Sequence, residues 1–324
     1  MNHSVSNIKS ESICTVMEIL AGCRHLSREE IANRSQLSLT TVSNILNGLQ
    51  DYGLLSQKHP HTSKTGRNPA VFGFSDSIAM LILRVDGRTM SMHLMDFRMN
   101  PLLCLHRDIL PARDPGECFW QFILTCREEL SHIHRRIILC GLVNDSPVLS
   151  NEMLDREIQV HLKLSVILHD SASAAIARAA LHQGIATEDR CTVILSHDGS
   201  CEGMILHGSK PLRGADTELC RNDEDAPIYA EELIHTVQML SKFLAPDTIL
   251  ICTMQDPEEL RRQLAEAQLS ALSLRHIAWE VRSTNLLIAH GTALAMRLQW
   301  IENTRNDMHR LRETPNTALT PMGV

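Results

Sequence analysis

The stretch Leu37-Ser38-Leu39-Thr40-Thr41-Val42-Ser43-Asn44-Ile45-Leu46-Asn47-Gly48-Leu49-Gln50 decides how this chain is read. Val42, Ile45, Leu46 and Leu49 recur at the i, i+3, i+4, i+7 spacing of one helical face, which predicts a helix beginning just after Ser38 with a buried aliphatic stripe. Thr40, Thr41, Ser43, Asn44 and Asn47 stand opposite. These are short, uncharged hydrogen-bonding side chains of the kind that reach base edges in a major groove. An ordinary amphipathic surface helix would show the same pattern, so the neighbouring sequence has to decide.

Upstream, Ile13, Val16, Met17 and Leu20 repeat the helical spacing, and Ser27-Arg28-Glu29-Glu30 has the form of a capping box opening a short helix through Arg34. The turn Ser35-Gln36-Leu37-Ser38 has the brevity of a helix-turn-helix, and Ser38 is a fitting N-cap for the third helix. After Asp51-Tyr52-Gly53, residues 54–58 and 70–74 are suited to pair as two strands of a wing around a polar, basic connection. With Leu37-Ser38, Thr41-Val42-Ser43, Tyr52-Gly53-Leu54-Leu55 and Gly66-Arg67-Asn68-Pro69, this part resembles the transcriptional regulators of sugar metabolism among the ROK proteins (repressors, open reading frames and kinases). The resemblance is specific over residues 10–75 and continues more weakly to residue 302. It implies an N-terminal winged helix-turn-helix followed by a two-lobed, actin-like α/β domain of the sugar-kinase type.

Charge agrees with that division. The net charge is −7, yet residues 1–75 carry +2, which leaves −9 for the remainder. A surplus of two gives modest phosphate affinity per subunit, so a homodimer or higher homo-oligomer on a double-stranded operator would supply the missing grip. Lys58, Lys64 and Arg67 are the candidate phosphate or minor-groove contacts, and Ser38, Thr40, Thr41, Ser43, Asn44 and Asn47 the candidate contacts of the helix. The N-terminus lacks a basic-then-apolar leader and no apolar run has the length of a membrane helix, so a cytoplasmic protein with no membrane partner is expected. The ten cysteines form no CxxC or CxC pair and are expected to be mostly reduced core thiols.

Past residue 76 strands and helices alternate. Residues 80–95 read as a hairpin about Asp86-Gly87-Arg88, with a third strand at 102–110, a helix over the Phe119, Ile123, Cys126, Leu130 and Ile133 stripe, and a strand at 136–143. Then follow a helix at 171–183, strands at 191–196 and 201–207, a helix at 228–244, a strand at 247–253, a helix at 256–268, a strand at 274–281 and a helix at 284–302. The expected domains are 1–75, 76–302 and a polar tail, loose after its first turn, at 303–324.

The resemblance also implies where phosphoryl-transfer chemistry would sit, and the residues depart from it. The first phosphate loop corresponds to Val85-Asp86-Gly87-Arg88-Thr89, better explained as a hairpin turn. The second corresponds to Ser196-His197-Asp198-Gly199-Ser200-Cys201-Glu202-Gly203, where Asp198 and Glu202 would repel a triphosphate. His169-Asp170-Ser171-Ala172 aligns Asp170 with the family's catalytic base, but an N-cap or first-turn acid is the favoured reading of this residue. Thr217-Glu218-Leu219-Cys220-Arg221 keeps the family's glutamate at Glu218 and places Arg221 where sugar and zinc would meet a histidine. No zinc ligand set follows, so neither metal nor cofactor is expected. Asn144, His169, Asp170, Glu218 and Arg221 are the candidate effector residues for a sugar or sugar phosphate. The 17 histidines, His59, His61, His132 and His134 among them, read as surface or satisfied core groups. The sequence thus points to a DNA-binding regulator, a repressor of carbohydrate-related genes without kinase activity. The alternatives are a residual sugar kinase and a regulator whose second domain docks a protein in place of a sugar.

Overall fold

Ser38 starts the decisive helix as expected. In the computed structural model, which describes residues 2–58, 69–109, 113–187, 191–197, 200–207, 210–211, 217–221, 230–254, 256–266 and 278–313, the chain opens with α1 (Asn2–Ala21), β1 (Leu26–Ser27), α2 (Arg28–Ser35) and α3 (Leu39–Asp51). The capping box is formed: the Ser27 hydroxyl accepts from the Glu30 amide at 3.2 Å and the Glu30 carboxylate accepts from the Ser27 amide at 2.7 Å. Gln36 adopts φ 56° and turns the chain between α2 and α3. Val42, Leu46 and Leu49 are buried, each contributing about 1.5–3 kcal/mol, whereas Ile45 is only partly covered. They lie in an element packed on α1, α2 and β2 (Leu55–Lys58).

Strand β3 (Val71–Phe74) pairs antiparallel with β2, Leu55 opposite Phe74 and Lys58 opposite Val71, and on its other side with β1. The resulting three-stranded sheet, ordered β1-β3-β2, completes a winged helix. Gly73 makes this closure feasible, because a Cβ there would lie 2.3 Å from the Arg24 carbonyl oxygen.

Next come β4 (Ile78–Val85), β5 (Thr89–Met95), β6 (Pro101–Asp108), α4 (Pro115–Ser131), β7 (Arg136–Asn144), α5 (Asn151–Leu162), β8 (Leu168–Asp170) and α6 (Ala172–His182). The strands form one sheet ordered β6-β5-β4-β7-β8. Leu81, Leu83, Met90, Met92 and Leu94 pack on Phe119, Phe122 and Ile123 of α4 and on Leu154 and Ile158 of α5. The Asp86 turn is a hairpin, as read. The Asp86 carboxylate accepts from the amides of Arg88 at 2.8 Å and Thr89 at 2.6 Å and from the Thr89 hydroxyl at 2.9 Å, and pairs with Arg84 at 2.9 Å. Helix α5 was not foreseen. Only Leu154 and Ile158 mark its buried face, and the Ser150 cap, accepting from the Met153 amide, sets its start.

The chain continues through β9 (Cys191–His197), β10 (Ser200–His207), β11 (Lys210–Pro211), β12 (Thr217–Arg221), α7 (Ala230–Leu244), β13 (Thr248–Thr253), α8 (Pro257–Glu266), β14 (Ala278–Ser283) and α9 (Thr284–Glu313). This second sheet is ordered β11-β10-β9-β13-β14, with β12 on β10, and β13 runs parallel to both β9 and β14. Val193, Leu195, Ile249, Ile251 and Val281 pack on Leu233 and Val237 of α7 and Leu260 and Leu264 of α8. The expected loose tail from Asn303 is corrected: α9 continues to Glu313, because residues 303–313 contain no glycine or proline and the first breaker is Pro315. The chain divides into two compact units, one of Met1–Leu142, Ser146–His169 and Ala295–Val324, the other of Val143–Asp145 and Asp170–Leu294.

Cys118, Cys126, Cys140 and Cys252 are buried free thiols, and burial pushes Cys126 and Cys140 up to about 12. Cys104, by contrast, is exposed. It stands opposite His93 on the neighbouring strand, the sulfur 3.8 Å from Nε2. Burial, with Arg84 and His106 adding to it, lowers the His93 pKa to about 4. The unfolded chain therefore takes up a proton below pH ~6.5 that the folded chain refuses until about pH 4. Stability present above the unfolded value is lost as pH falls through this window, by about 3 kcal/mol from this group. Urea unfolding of His93→Gln between pH 7 and 4 should show a correspondingly flatter loss than the parent protein.

Candidate functional site

The α3 surface divides as its sequence divides. The Ser38 hydroxyl accepts from the Thr41 amide at 3.1 Å and meets the Thr41 hydroxyl at 2.8 Å, so both groups are engaged in starting the helix. Thr40, Asn44 and Asn47 are exposed, at the i, i+4, i+7 spacing of one stripe, and Ser43 is half-buried beside them. One apolar neighbour escaped the sequence reading. Leu39, the first residue of α3, is 51% exposed, which follows from the N-cap at Ser38: the position precedes the first turn whose inner face is covered. Lys58 is exposed at the end of β2, while His59, His61, Lys64 and Arg67 lie outside the described residues. Of the remaining cations, Arg28 lies 4.8 Å over the Phe72 ring, and Arg34 donates to the Cys23 sulfur at 2.8 Å.

The candidate effector residues have separate surroundings. Asn144 ends β7, and the adjacent Asp145 carboxylate accepts from the Ala172 amide at 3.3 Å. His169 is held at 2.9 Å by Asp155 of α5. Glu218 and Arg221 lie on β12 in register with Glu202 and Ser200 of β10, and their side chains are outside the described residues. Asp170 is neither the N-cap nor a first-turn acid of α6. Ser171 caps the helix, accepting from the Ala174 amide at 3.3 Å, because its hydroxyl sits one residue closer to the free amides.

The Asp170 side chain, 6% exposed, instead forms an ion pair with Arg178 and accepts from the Thr292 hydroxyl at 3.1 Å and from the Ser171 amide at 3.0 Å. Arg178 also donates from Nε to the Gly291 carbonyl at 3.1 Å. A Cβ on Gly291 would come within 1.8 Å of the Ala175 carbonyl oxygen, so α6 and α9 cross at closest approach where the ion pair forms. The carboxylate thus has a guanidinium, a hydroxyl and an amide as partners. Neither Arg178 nor Thr292 was anticipated. The available signal was a single cation in the otherwise small, apolar run Ala172-Ser173-Ala174-Ala175-Ile176-Ala177-Arg178. Among the described residues no group of three or more His, Cys, Asp or Glu side chains is placed to hold a metal ion.

Comparison with known proteins gives the IclR helix-turn-helix domain as the family matching residues 14–59. No curated protein matches the chain. Among solved structures, a ROK family transcriptional regulator, homolog of the E. coli MLC protein, is similar at 13% identity and TM-score 0.57, covering 93% of this chain and 99% of that one. The inorganic polyphosphate/ATP-glucomannokinase from Arthrobacter sp. strain KM aligns at 15% identity over 68% of this chain and 99% of its own, with TM-score 0.48. A ROK family glucokinase from Streptomyces griseus aligns at 11% identity over 67% and 98%, with TM-score 0.44. The first of these carries the argument. The chain shares the fold of that regulator, a helix-turn-helix followed by a two-sheet α/β architecture, as the sequence resemblance implied.

Removing the Asp170 carboxylate strands the fully buried Thr292 hydroxyl and unpairs Arg178. Asp170→Ala should therefore lower stability by about 2 kcal/mol, and Gly291→Ala by a further 1–3 kcal/mol, roughly, through overpacking, both read by urea titration.

Proposed function

We propose that this chain is a DNA-binding transcriptional regulator of the ROK type, a cytoplasmic repressor of carbohydrate-related genes that lacks kinase activity. The observation that carries the reading is the split of α3: Val42, Leu46 and Leu49 face inward, while Thr40, Asn44 and Asn47 form an exposed polar stripe in a winged helix. In such a module the second helix of the motif enters the major groove and the wing lies along the backbone or minor groove. Thr40, Ser43, Asn44 and Asn47 would read bases, Leu39 would touch a thymine methyl group, and Lys58, Lys64 and Arg67 would meet phosphates or the minor groove. Ser38 and Thr41 would act by fixing the start of the helix. We take residues 1–75 as the reading module, and a homodimer on two half-sites would double its modest charge.

The proposed absence of kinase turnover is supported by the Asp170 ion pair and by the Asp86 hairpin, in which the two carboxylates that the resemblance assigns to the base and the first phosphate loop already have partners. A sugar or sugar phosphate is proposed as the effector, through Asn144, Glu218 and Arg221. A protein partner is the second reading, favoured because His169 and Asp170 already have partners. Addition of sugars should shift DNA affinity saturably under the first reading and leave it unmoved under the second.

Fluorescence anisotropy across a salt series, with DNA from upstream of the gene and a scrambled duplex, tests the whole proposal. At least a hundredfold preference, about 2.7 kcal/mol, is expected; equal, weak and steeply salt-dependent binding to both would refute it. Asn44→Ala and Asn47→Ala should erase preference, whereas Arg67→Ala should weaken both duplexes and flatten the salt slope by about one. Deoxyuridine in place of thymidine should cost affinity in the parent and nothing in Leu39→Ala. ATP turnover with hexoses should be undetectable in the parent and unchanged in Asp170→Asn.

A further inference from the structure

The hairpin of β5 and β6 carries a polar cluster that the proposed function does not use. Side chains alternate along each strand, so Ser91 and His93 share one face of β5 with their antiparallel partners on β6, His93 opposite Cys104 and Ser91 opposite His106. The other face, with Met90, Met92 and Leu94, is the one packed on α4 and α5. Two members of the cluster touch: the Cys104 sulfur lies 3.8 Å from His93 Nε2. His93 is buried and Cys104 exposed, so the imidazole is held in place while the thiol can be reached from water. Beside them the Ser91 hydroxyl, in a residue 1% exposed, has no hydrogen-bond partner among the described residues.

The flanking charges are turned elsewhere, Arg84 of β4 to Asp86 at 2.9 Å and His106 to Asp108 at 3.3 Å. The hairpin is also fixed at its turn, where the Asp96 carboxylate accepts from the amides of Arg98 at 2.8 Å and Asn100 at 2.9 Å. The register that sets His93 against Cys104 is therefore held in advance of any ligand. Bonds of about 2.3 Å to a thiolate sulfur and about 2.0 Å to an imidazole nitrogen place those atoms about 3.5 Å apart at a tetrahedral metal and about 4.3 Å apart in a straight line. The observed 3.8 Å lies between the two.

Burial keeps the imidazole neutral, with a pKa of about 4, and so available as a ligand across the neutral range. Burial also pushes the Cys104 thiol up, which makes it a slow nucleophile towards oxidants. A soft metal ion, by contrast, displaces the thiol proton directly. Two protein donors are too few for zinc, whose structural sites close with four. Monovalent copper is soft and is satisfied by two or three ligands, which suits one thiolate and one imidazole.

We propose that Cys104 and His93 form a binding site for monovalent copper on the β5–β6 hairpin, the ion bonded to Sγ and Nε2, with the Ser91 hydroxyl beside them to hold a water as third ligand. Binding forms one Cu–S and one Cu–N bond and releases the thiol proton to solvent, with no change in oxidation state. The site does not depend on the DNA-reading function.

The test is an anaerobic titration of the full-length protein with Cu(I) against bicinchoninate, whose coloured copper complex reports the ion the protein has not taken. The parent should withdraw one ion per chain. Cys104→Ser should bind it about a hundredfold more weakly and His93→Gln, which keeps the thiol, about tenfold more weakly, whereas Cys23→Ser should match the parent. Parent affinity should rise about tenfold per pH unit, one proton released per ion, and keep that slope below pH ~6.5, where a histidine of ordinary pKa would add a second proton. X-ray absorption of the loaded parent, which needs no variant, should show one sulfur donor with nitrogen or oxygen completing the shell. Two sulfur donors would overturn the site, as would full affinity in Cys104→Ser. Loss in Cys104→Ser with none in His93→Gln would reduce Cys104 to an ordinary surface thiol and overturn the pairing.

Discussion

The structure depends first on covering the aliphatic stripe of α3. A 13-residue helix with two asparagines, three threonine or serine residues and a glycine is marginal in water by itself. It persists because Val42, Leu46 and Leu49 are removed from solvent by the elements around them, and the local order of the chain serves that end. The capping box starts α2 at a fixed place, the left-handed Gln36 sets the turn, and the absence of a side chain at Gly73 lets β3 close against Arg24 and His25, just before β1. Loosening any of these would disturb the polar stripe through the apolar one.

The Asp170 network is a buried polar junction between α6 and α9. Its carboxylate is buried against a guanidinium, a hydroxyl and an amide. The small residues around it, Ala175 on α6 and Gly291 on α9, allow the two helices to come close enough for Arg178 to bridge a carboxylate and a carbonyl. Chemistry and packing draw here on the same few atoms, and the observed geometry favours packing.

What could be read in advance was what is local. The capping box, the Ser38 cap and the Asp86 hairpin turn each involve residues within a few positions of one another, and each is present in the structure. What could not be read is long-range or faintly patterned. Thr292 is 122 residues from its carboxylate partner, and no local periodicity connects the two. Helix α5 buries only Leu154 and Ile158 fully, with Met153 and Leu162 at the edge of the core, and its charged residues Glu152, Asp155, Arg156 and Glu157 mask that stripe; α9 outruns its apolar stripe because a run without glycine or proline can continue as helix. Leu39 was passed over because sequence alone does not say that the first residue of a helix falls short of the cover given to its later turns.

The separation of the two α3 stripes has an evolutionary consequence. Folding constrains positions 42, 46 and 49, while the outward stripe at 40, 44 and 47 touches no part of the core. Substitutions among the outward positions are thus free of a stability penalty beyond helix propensity, a few tenths of a kcal/mol at ordinary residues, roughly. A lineage carrying this scaffold can drift through many outward sequences while its inner three side chains stay fixed, so the outer surface of α3 can diversify far faster than the architecture.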